Sequence, residues 1–169
     1  DHTMTLGYCT NVHAGGTLEE TCSQLERHAI PVARLLGAGE PLPIGLWLPA
    51  SALADVRAAG HGSLRNWLEH HGLRVFTING FPYGDFHGDI VKHSVYEPDW
   101  TSPLRLQYTG ELAELLADLL PEQGTGGIST LPLGWGASMD QQAVEASAKQ
   151  LLELADLLAD LESRTGRCI

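Results

Sequence analysis

The stretch 73-LRVFTINGFPYGDFHGD-89 decides the fold, because it joins an apolar run to an unusual loop. The run Leu73–Asn79 is rich in β-branched and aromatic residues and predicts a buried strand. The loop that follows Asn79-Gly80 contains three aromatic side chains, one histidine and two carboxylates. Small polar residues normally dominate loops, so this composition predicts a binding site at the end of a strand.

The same order of strand, loop and helix recurs along the chain. Apolar runs near residues 5–12, 43–49 and 126–133 predict three further strands beside the one at 73–79. The predicted helix N-caps are Thr17, which opens a capping box, Ser51, Ser63, and Thr101 or Ser102. A last helix is predicted over about 140–164, and the residues after it predict the start of a fifth strand.

Four βα units in succession predict a parallel sheet with right-handed crossovers. Two α/β architectures share this pattern: a doubly wound open sheet, and a (β/α)8 TIM barrel, which typically needs about 250 residues. Four units in 169 residues, with a fifth strand starting, favour half of a barrel. We therefore predict one domain over residues 1–169 that forms the first four βα units of a (β/α)8 barrel.

Charge and cysteine content narrow the class of protein. Ten basic and twenty-one acidic residues give a formal net charge of −11 without any Lys/Arg cluster, so we expect neither a nucleic-acid partner nor an anionic membrane surface. No apolar run approaches the roughly 18 residues of a membrane span. Cys9, Cys22 and Cys168 lack the spacing of a disulfide framework or a zinc site, which favours a cytoplasmic location. Cys9 lies within the first predicted strand, and we expect its thiol to be buried.

Candidate site residues follow the predicted strands. The carboxyl ends of parallel strands meet at one edge of the sheet, so the side chains found there are expected to share a pocket. We predict catalytic roles for His13 and His87, as groups that orient a substrate or transfer its protons. The predicted substrate-binding residues are Asn11, Trp47, Asn79, Phe81, Tyr83 and Trp135.

Simpler structural roles are open for several of these residues. His13 could cap the next helix, Asn79 could supply a turn conformation, and the tryptophans could pack in the core. Asp85, His87 and Asp89 are residue types that bind metals, but a solvated loop explains their spacing as well. No tight metal site is expected from residues 1–169 alone.

The segments YCTNVH, LPIGLWL, FTINGFPYGDFHG, VYEPDWTSPLRLQYT and ISTLPLGW together resemble the N-terminal half of the EboE-type metabolite traffic proteins. That group belongs to the sugar-phosphate isomerase/epimerase proteins with a xylose-isomerase-like TIM barrel. The resemblance implies a small hydroxylated metabolite bound at the carboxyl-end mouth of the barrel. It also implies a divalent metal in the full-length protein, held by residues of strands five to eight that lie outside this segment.

Two functions agree with this resemblance. One is a metal-assisted isomerase, epimerase or related metabolite-processing enzyme, and the other is a non-catalytic metabolite-binding or carrier module on the same barrel. A scaffold without a ligand is disfavoured by the crowded loop after the third strand. Unpaired strand edges predict association with the missing C-terminal half or with another copy of the chain.

Overall fold

The computed structural model of the chain describes residues 6–37, 39–84, 94–134 and 139–169. Four parallel strands form one sheet in the order β1-β2-β3-β4. They are β1 (Tyr8–Cys9), β2 (Leu42–Trp47), β3 (Leu73–Asn79) and β4 (Gly127–Ser129). The predicted parallel sheet is therefore confirmed, and the described strands show no reversal of order such as a doubly wound sheet has at its switch point.

The strands differ in how well their extent is predicted. β3 has the predicted bounds, and β2 begins one residue earlier and ends two residues earlier than predicted. The predicted extents of β1 and β4 are too long, because the backbone beyond these strands bonds to turns and loops. The His13 amide donates to the Thr10 carbonyl (3.1 Å), and the Leu133 carbonyl accepts from the Trp100 amide (3.1 Å).

Helical segments connect the strands. They are α1 (Leu18–Gln24), a π-helical turn (Leu25–Ala29), α2 (Ile30–Leu36), α3 (Ala50–Ala59), α4 (His61–His70), a 3-10 turn (Ser94–Tyr96), α5 (Pro103–Leu119) and α6 (Gln141–Thr165). The capping box at Thr17 is confirmed: its hydroxyl accepts from the Glu20 amide, and the Glu20 carboxylate accepts from the Thr17 amide, both at 3.2 Å. Ser102 is confirmed as the cap of α5.

The predicted caps Ser51 and Ser63 are wrong. α3 and α4 begin earlier, directly after Pro49 and Gly60. Pro49 already has the extended backbone that an N-cap requires, so Ser51 lies inside the first turn. Its hydroxyl instead donates to the Gly16 carbonyl (2.5 Å), which links α3 to the loop before α1.

The main core lies between the helices and one face of the sheet. The strand residues in this buried cluster are Leu42, Ile44 and Leu46 of β2 and Leu73, Val75 and Ile78 of β3. Residues of the π-helical turn, α3, α4 and α5 complete the cluster, and α6 packs against α5. β2 contributes alternate residues, because successive side chains of a strand point to opposite faces. In β3 the core positions step from Val75 to Ile78, where the register with β2 shifts by one residue. The helices therefore cover one face of a mixed α/β fold.

At its centre, the opposite face of the sheet carries small and polar residues. The aligned positions Cys9, Gly45, Thr77 and Gly127 lie across the four strands, and Ser129 follows two residues further along β4. Cys9 and Ser129 are exposed, so the described helices leave this face open. Consecutive parallel strands with helices on one face are compatible with half of an α/β barrel.

After α6 the chain returns to the edge of β4. The Gly126 amide donates to the Cys168 carbonyl (2.9 Å) and the Cys168 amide donates to the Gly124 carbonyl (3.1 Å). These bonds form a parallel bridge between Thr125 and Cys168, at the position where the fifth strand is predicted. The strand order thus continues past β4.

Candidate binding site at the carboxyl edge of the sheet

Three predicted site residues, Asn11, His13 and Asn79, gather at one edge of the sheet. β1 and β3 both run parallel to β2, so the residues that end or follow these strands lie at the same edge. His13 and Asn79 therefore lie at the same end of the sheet. Their side chains nevertheless enter two different networks.

The first network is a row of four side chains on the open face. The Cys9 thiol donates to the Asn11 side-chain oxygen (2.8 Å), and the Asn79 side-chain amide donates to the Cys9 sulfur (3.2 Å). The Ser129 hydroxyl donates to the Asn79 side-chain oxygen at 3.4 Å, the longest contact of the set. We call Cys9, Asn11, Asn79 and Ser129 the polar row. It joins β1, β3 and β4 across the surface of β2.

Gly45 allows side chains of β1 and β3 to meet above β2. It pairs with Cys9 on one side and with Thr77 on the other. A Cβ atom at Gly45 would lie 3.2 Å from Thr77 Cγ2 and 4.0 Å from Cys9 Sγ, which is close to or tighter than ordinary contact. Because β2 presents only a hydrogen here, the Cys9 sulfur and the Asn79 amide can bond across it.

The sequence prediction for Cys9 is wrong. Its side chain is exposed on the open face instead of packing as a buried thiol. The apolar run around Cys9 suggested burial, but alternate residues of a strand face opposite sides, and only the face that carries Tyr8 packs against the main core. The spacing of two between Cys9 and Asn11 is the signal that could have placed both on one face. Ser129 was also missed, because an apolar run does not show directly which of its residues face the open side.

His13 belongs to the second network. Its Nε2 lies 2.7 Å from the Tyr8 hydroxyl, and its ring stacks on the His28 ring with centroids 4.1 Å apart and planes 7° apart. His28 lies in the π-helical turn, so this turn brings the second imidazole to the end of β1. A phenol hydrogen-bonded to an imidazole can transfer a proton, which is the chemistry predicted for His13.

Trp47 and Tyr83 fix the loop that follows β3. Trp47 is buried, and its indole nitrogen donates to the Pro82 carbonyl (3.3 Å). The Tyr108 hydroxyl reaches the same carbonyl (3.1 Å) as well as the Leu48 carbonyl (2.7 Å). The Tyr83 ring packs edge-on against the Tyr108 ring at 5.0 Å. Burial raises the pKa of Tyr108, which keeps its hydroxyl a hydrogen-bond donor.

Phe81 also packs within the protein. Its ring lies edge-on to the Tyr96 ring, with centroids 5.4 Å apart, beside the small buried cluster around Trp100. Phe81, Tyr83 and Trp47 thus make packing contacts that shape the edge of the site. His87 and Trp135, the other predicted site residues, lie outside the described residues, as do Asp85 and Asp89.

Metal ligands do not gather within the described ranges. In residues 6–37, 39–84, 94–134 and 139–169 no three His, Cys, Asp or Glu side chains are placed to hold an ion. The divalent metal that the resemblance implies would be held by residues outside this segment, and we assign no metal-dependent step to the described residues.

Comparison with known proteins does not identify the chain. No protein-family model matches it, and no curated protein or solved structure is significantly similar to it. The resemblance to EboE-type proteins stays a prediction. Among the described helices, none has the length and apolar character needed to cross a membrane.

Proposed function

We propose that the open face at the carboxyl edge of the sheet binds a small, neutral, hydroxylated metabolite. The observation that carries this proposal is the polar row, in which four hydrogen-bonding side chains from three strands converge on one open surface. Side chains that bond to each other on an exposed face can exchange those bonds for bonds to a ligand.

The chemistry of the polar row suits hydroxyl groups. Each of its two amides offers an acceptor oxygen and a donor NH2, and the Ser129 hydroxyl and Cys9 thiol each offer both functions. A polyol also carries groups that donate and accept, so successive hydroxyls can be matched along the row. The row carries no positive charge, and it therefore favours the uncharged part of a metabolite over a phosphate group.

We further propose that the four βα units form half of a (β/α)8 barrel of the xylose-isomerase-like type. The consecutive strand order, the one-sided helix layer and the bridge beside β4 support this architecture. So does α6, whose apolar residues Val144 and Leu152 are 37% and 69% exposed. Their spacing of eight residues places them on one side of the helix. Further βα units, from the same polypeptide or from a second copy, would cover this side and the open strand edges.

Binding alone accounts for the polar row, and one observation favours an enzyme. Isomerisation or epimerisation requires a group that takes up and returns a proton, and Tyr8 and His13, which share a hydrogen bond at the end of β1, are a candidate pair. Tyr8 packs on the core face, so in an isomerase the ligand would extend from the polar row over the end of β1 to His13. A single variant therefore distinguishes a carrier from an isomerase. His13→Ala would leave ligand affinity unchanged in a carrier and would abolish turnover in an isomerase.

The binding proposal is tested by NMR titration with xylitol, D-xylose and D-xylose 5-phosphate. We expect the neutral probes to shift the side-chain amide signals of Asn11 and Asn79. Asn79→Ala should remove binding, whereas Asn66→Ala, on the exposed surface of α4, should preserve it. Equal affinity in the wild type and in Asn79→Ala would overturn the proposal, as would the absence of any shift in the polar row.

A further inference from the structure

Arg105 is a fully buried cation that pairs with no carboxylate of the described residues. It lies in the first turn of α5, and 0% of its surface is exposed. Charged side chains are almost never fully buried unless they are paired. Among the described residues no Asp or Glu oxygen comes within salt-bridge distance of Arg105, so its burial calls for another explanation.

The guanidinium bonds to both ends of the loop between β3 and α5. Its Nη1 donates to the Gly80 carbonyl (2.8 Å), and its Nε donates to the Pro98 carbonyl (2.8 Å). Gly80 is the first residue after β3, and Pro98 lies a few residues before α5. A planar guanidinium can hold two acceptors in a fixed relation, which the single ammonium of a lysine cannot do equally well.

Aromatic rings complete the surroundings of Arg105. Its guanidinium carbon lies 5.9 Å from the centre of the Tyr83 ring and 5.6 Å from the centre of the Tyr108 ring. Burial lowers the pKa of Arg105, and the nearby Tyr108, Tyr83, Asp99 and Glu97 oppose this shift. Two carbonyl dipoles and two ring faces thus stabilise the cation.

One guanidinium nitrogen, Nη2, is buried and has no hydrogen-bond partner among the described residues. An unpaired buried donor destabilises a fold, so a simple packing position would be better filled by an apolar side chain. The two hydrogen bonds that Arg105 does make must therefore serve a purpose that an apolar side chain could not. One of them, the bond to the Gly80 carbonyl, concerns the backbone next to Asn79 of the polar row.

Gly80 connects Arg105 to the polar row. While its carbonyl accepts from Arg105, its amide donates to the Ser129 carbonyl (3.0 Å), and its preceding neighbour is Asn79. A side chain at Gly80 would not fit, because a Cβ atom there would lie 2.9 Å from the Ser129 carbonyl oxygen. Gly80 is thus held through both of its peptide groups: Ser129 accepts from the peptide that follows Asn79, and Arg105 donates to the peptide that follows Gly80.

We propose that Arg105 is a positioning residue for the metabolite site: it fixes the Gly80 peptide and thereby holds the Asn79 and Ser129 side chains in register for a hydroxylated ligand. This inference rests on the proposed function of the polar row. In this role Arg105 orients the residues of the site and does not contact the ligand.

The test compares Arg105→Lys and Arg105→Met with Arg57→Met as the control. Arg57 is a half-exposed arginine that forms a surface ion pair with Glu111 (2.6 Å). We expect both Arg105 variants to weaken xylitol or D-xylose binding about tenfold and to speed hydrogen exchange of the Gly80 amide by a similar factor. Exchange in the middle of α6 should stay unchanged, which separates local positioning from general loss of stability.

Unchanged affinity and unchanged Gly80 exchange in Arg105→Lys would overturn the inference, as would exchange that rises equally throughout the protein. If neither variant folds, the Arg105 Nε–H signal of the wild type decides. We expect this buried signal to shift when the probe binds, and a constant signal would count against the inference. If the wild type binds no probe, the proposed function fails, while Gly80 exchange in the variants still decides whether Arg105 positions this peptide.

Discussion

Tyr108→Phe removes a single oxygen atom that joins β2 to the loop after β3. The hydroxyl donates towards the Leu48 carbonyl (2.7 Å) and lies 3.1 Å from the Pro82 carbonyl. Tyr108 is 2% exposed, so water cannot readily replace the lost donor. The Pro82 carbonyl keeps its bond from Trp47, whereas the Leu48 carbonyl loses the hydroxyl. Leaving a buried acceptor unpaired costs about 1–3 kcal/mol.

This cost predicts a measurable loss of stability. For a domain of this size, each kcal/mol lowers the melting temperature by about 2–4 °C, so we expect a decrease of roughly 2–12 °C. Urea unfolding followed by circular dichroism gives the free energy directly. Tyr83→Phe is the matched control, because the Tyr83 hydroxyl makes no hydrogen bond to any described residue and its ring lies 5.0 Å from the Tyr108 ring. We expect the control to change stability by less than about 0.5 kcal/mol. Equal losses in the two variants would refute the assigned role of the Tyr108 hydroxyl.

Three further predictions concern close packing, thiol reactivity and association. Gly80→Ala should lower the free energy of unfolding by about 1–3 kcal/mol, because the new Cβ atom would lie 2.7 Å from Ile128 Cγ2 and 2.9 Å from the Ser129 carbonyl oxygen. Urea unfolding measures this change, and an unchanged free energy of unfolding would contradict the close approach. Iodoacetamide should modify the exposed Cys9 before Cys22 near pH 8, because burial and then the Glu26 charge raise the pKa of the Cys22 thiol. Rising pH should narrow the difference between the two modification rates. Mass spectrometry that finds Cys22 modified first would contradict this order. The chain should self-associate in sedimentation equilibrium through its open strand edges and the exposed apolar side of α6, and a strictly monomeric, cooperatively unfolding chain would contradict the half-barrel proposal.

The extent to which sequence predicts this fold depends on how local each signal is. β3 has the predicted bounds because a continuous apolar run ends at Asn79-Gly80, where the strand also ends. The capping box at Thr17 and the stop of α6 at Gly166 involve residues a few positions apart, so the sequence reveals them directly. Strand order follows from the succession of βα units.

The candidate site is less visible in the sequence because its contacts are tertiary. The bond between Cys9 and Asn79 joins residues 70 positions apart and depends on the missing side chain of Gly45. Arg105 looks like an ordinary helix-surface residue in the sequence, and its burial follows from tertiary contacts with Gly80 and Pro98, which are distant along the chain or separated from it by a turn. The aromatic residues of the loop predicted a ligand surface, yet Tyr83 also anchors the loop to α5.

Alkylation of Cys9 in the presence of ligand tests the central proposal most directly. Cys9 lies in the polar row, whereas the exposed Cys168 lies beside β4 at the bridge with Thr125 and serves as a control within the same molecule. A polyol bound to the row would cover the Cys9 sulfur. We predict that saturating xylitol or D-xylose slows iodoacetamide modification of Cys9 about tenfold and leaves the rate at Cys168 unchanged. Equal rates at Cys9 with and without a ligand that demonstrably binds would contradict the placement of the site on this face.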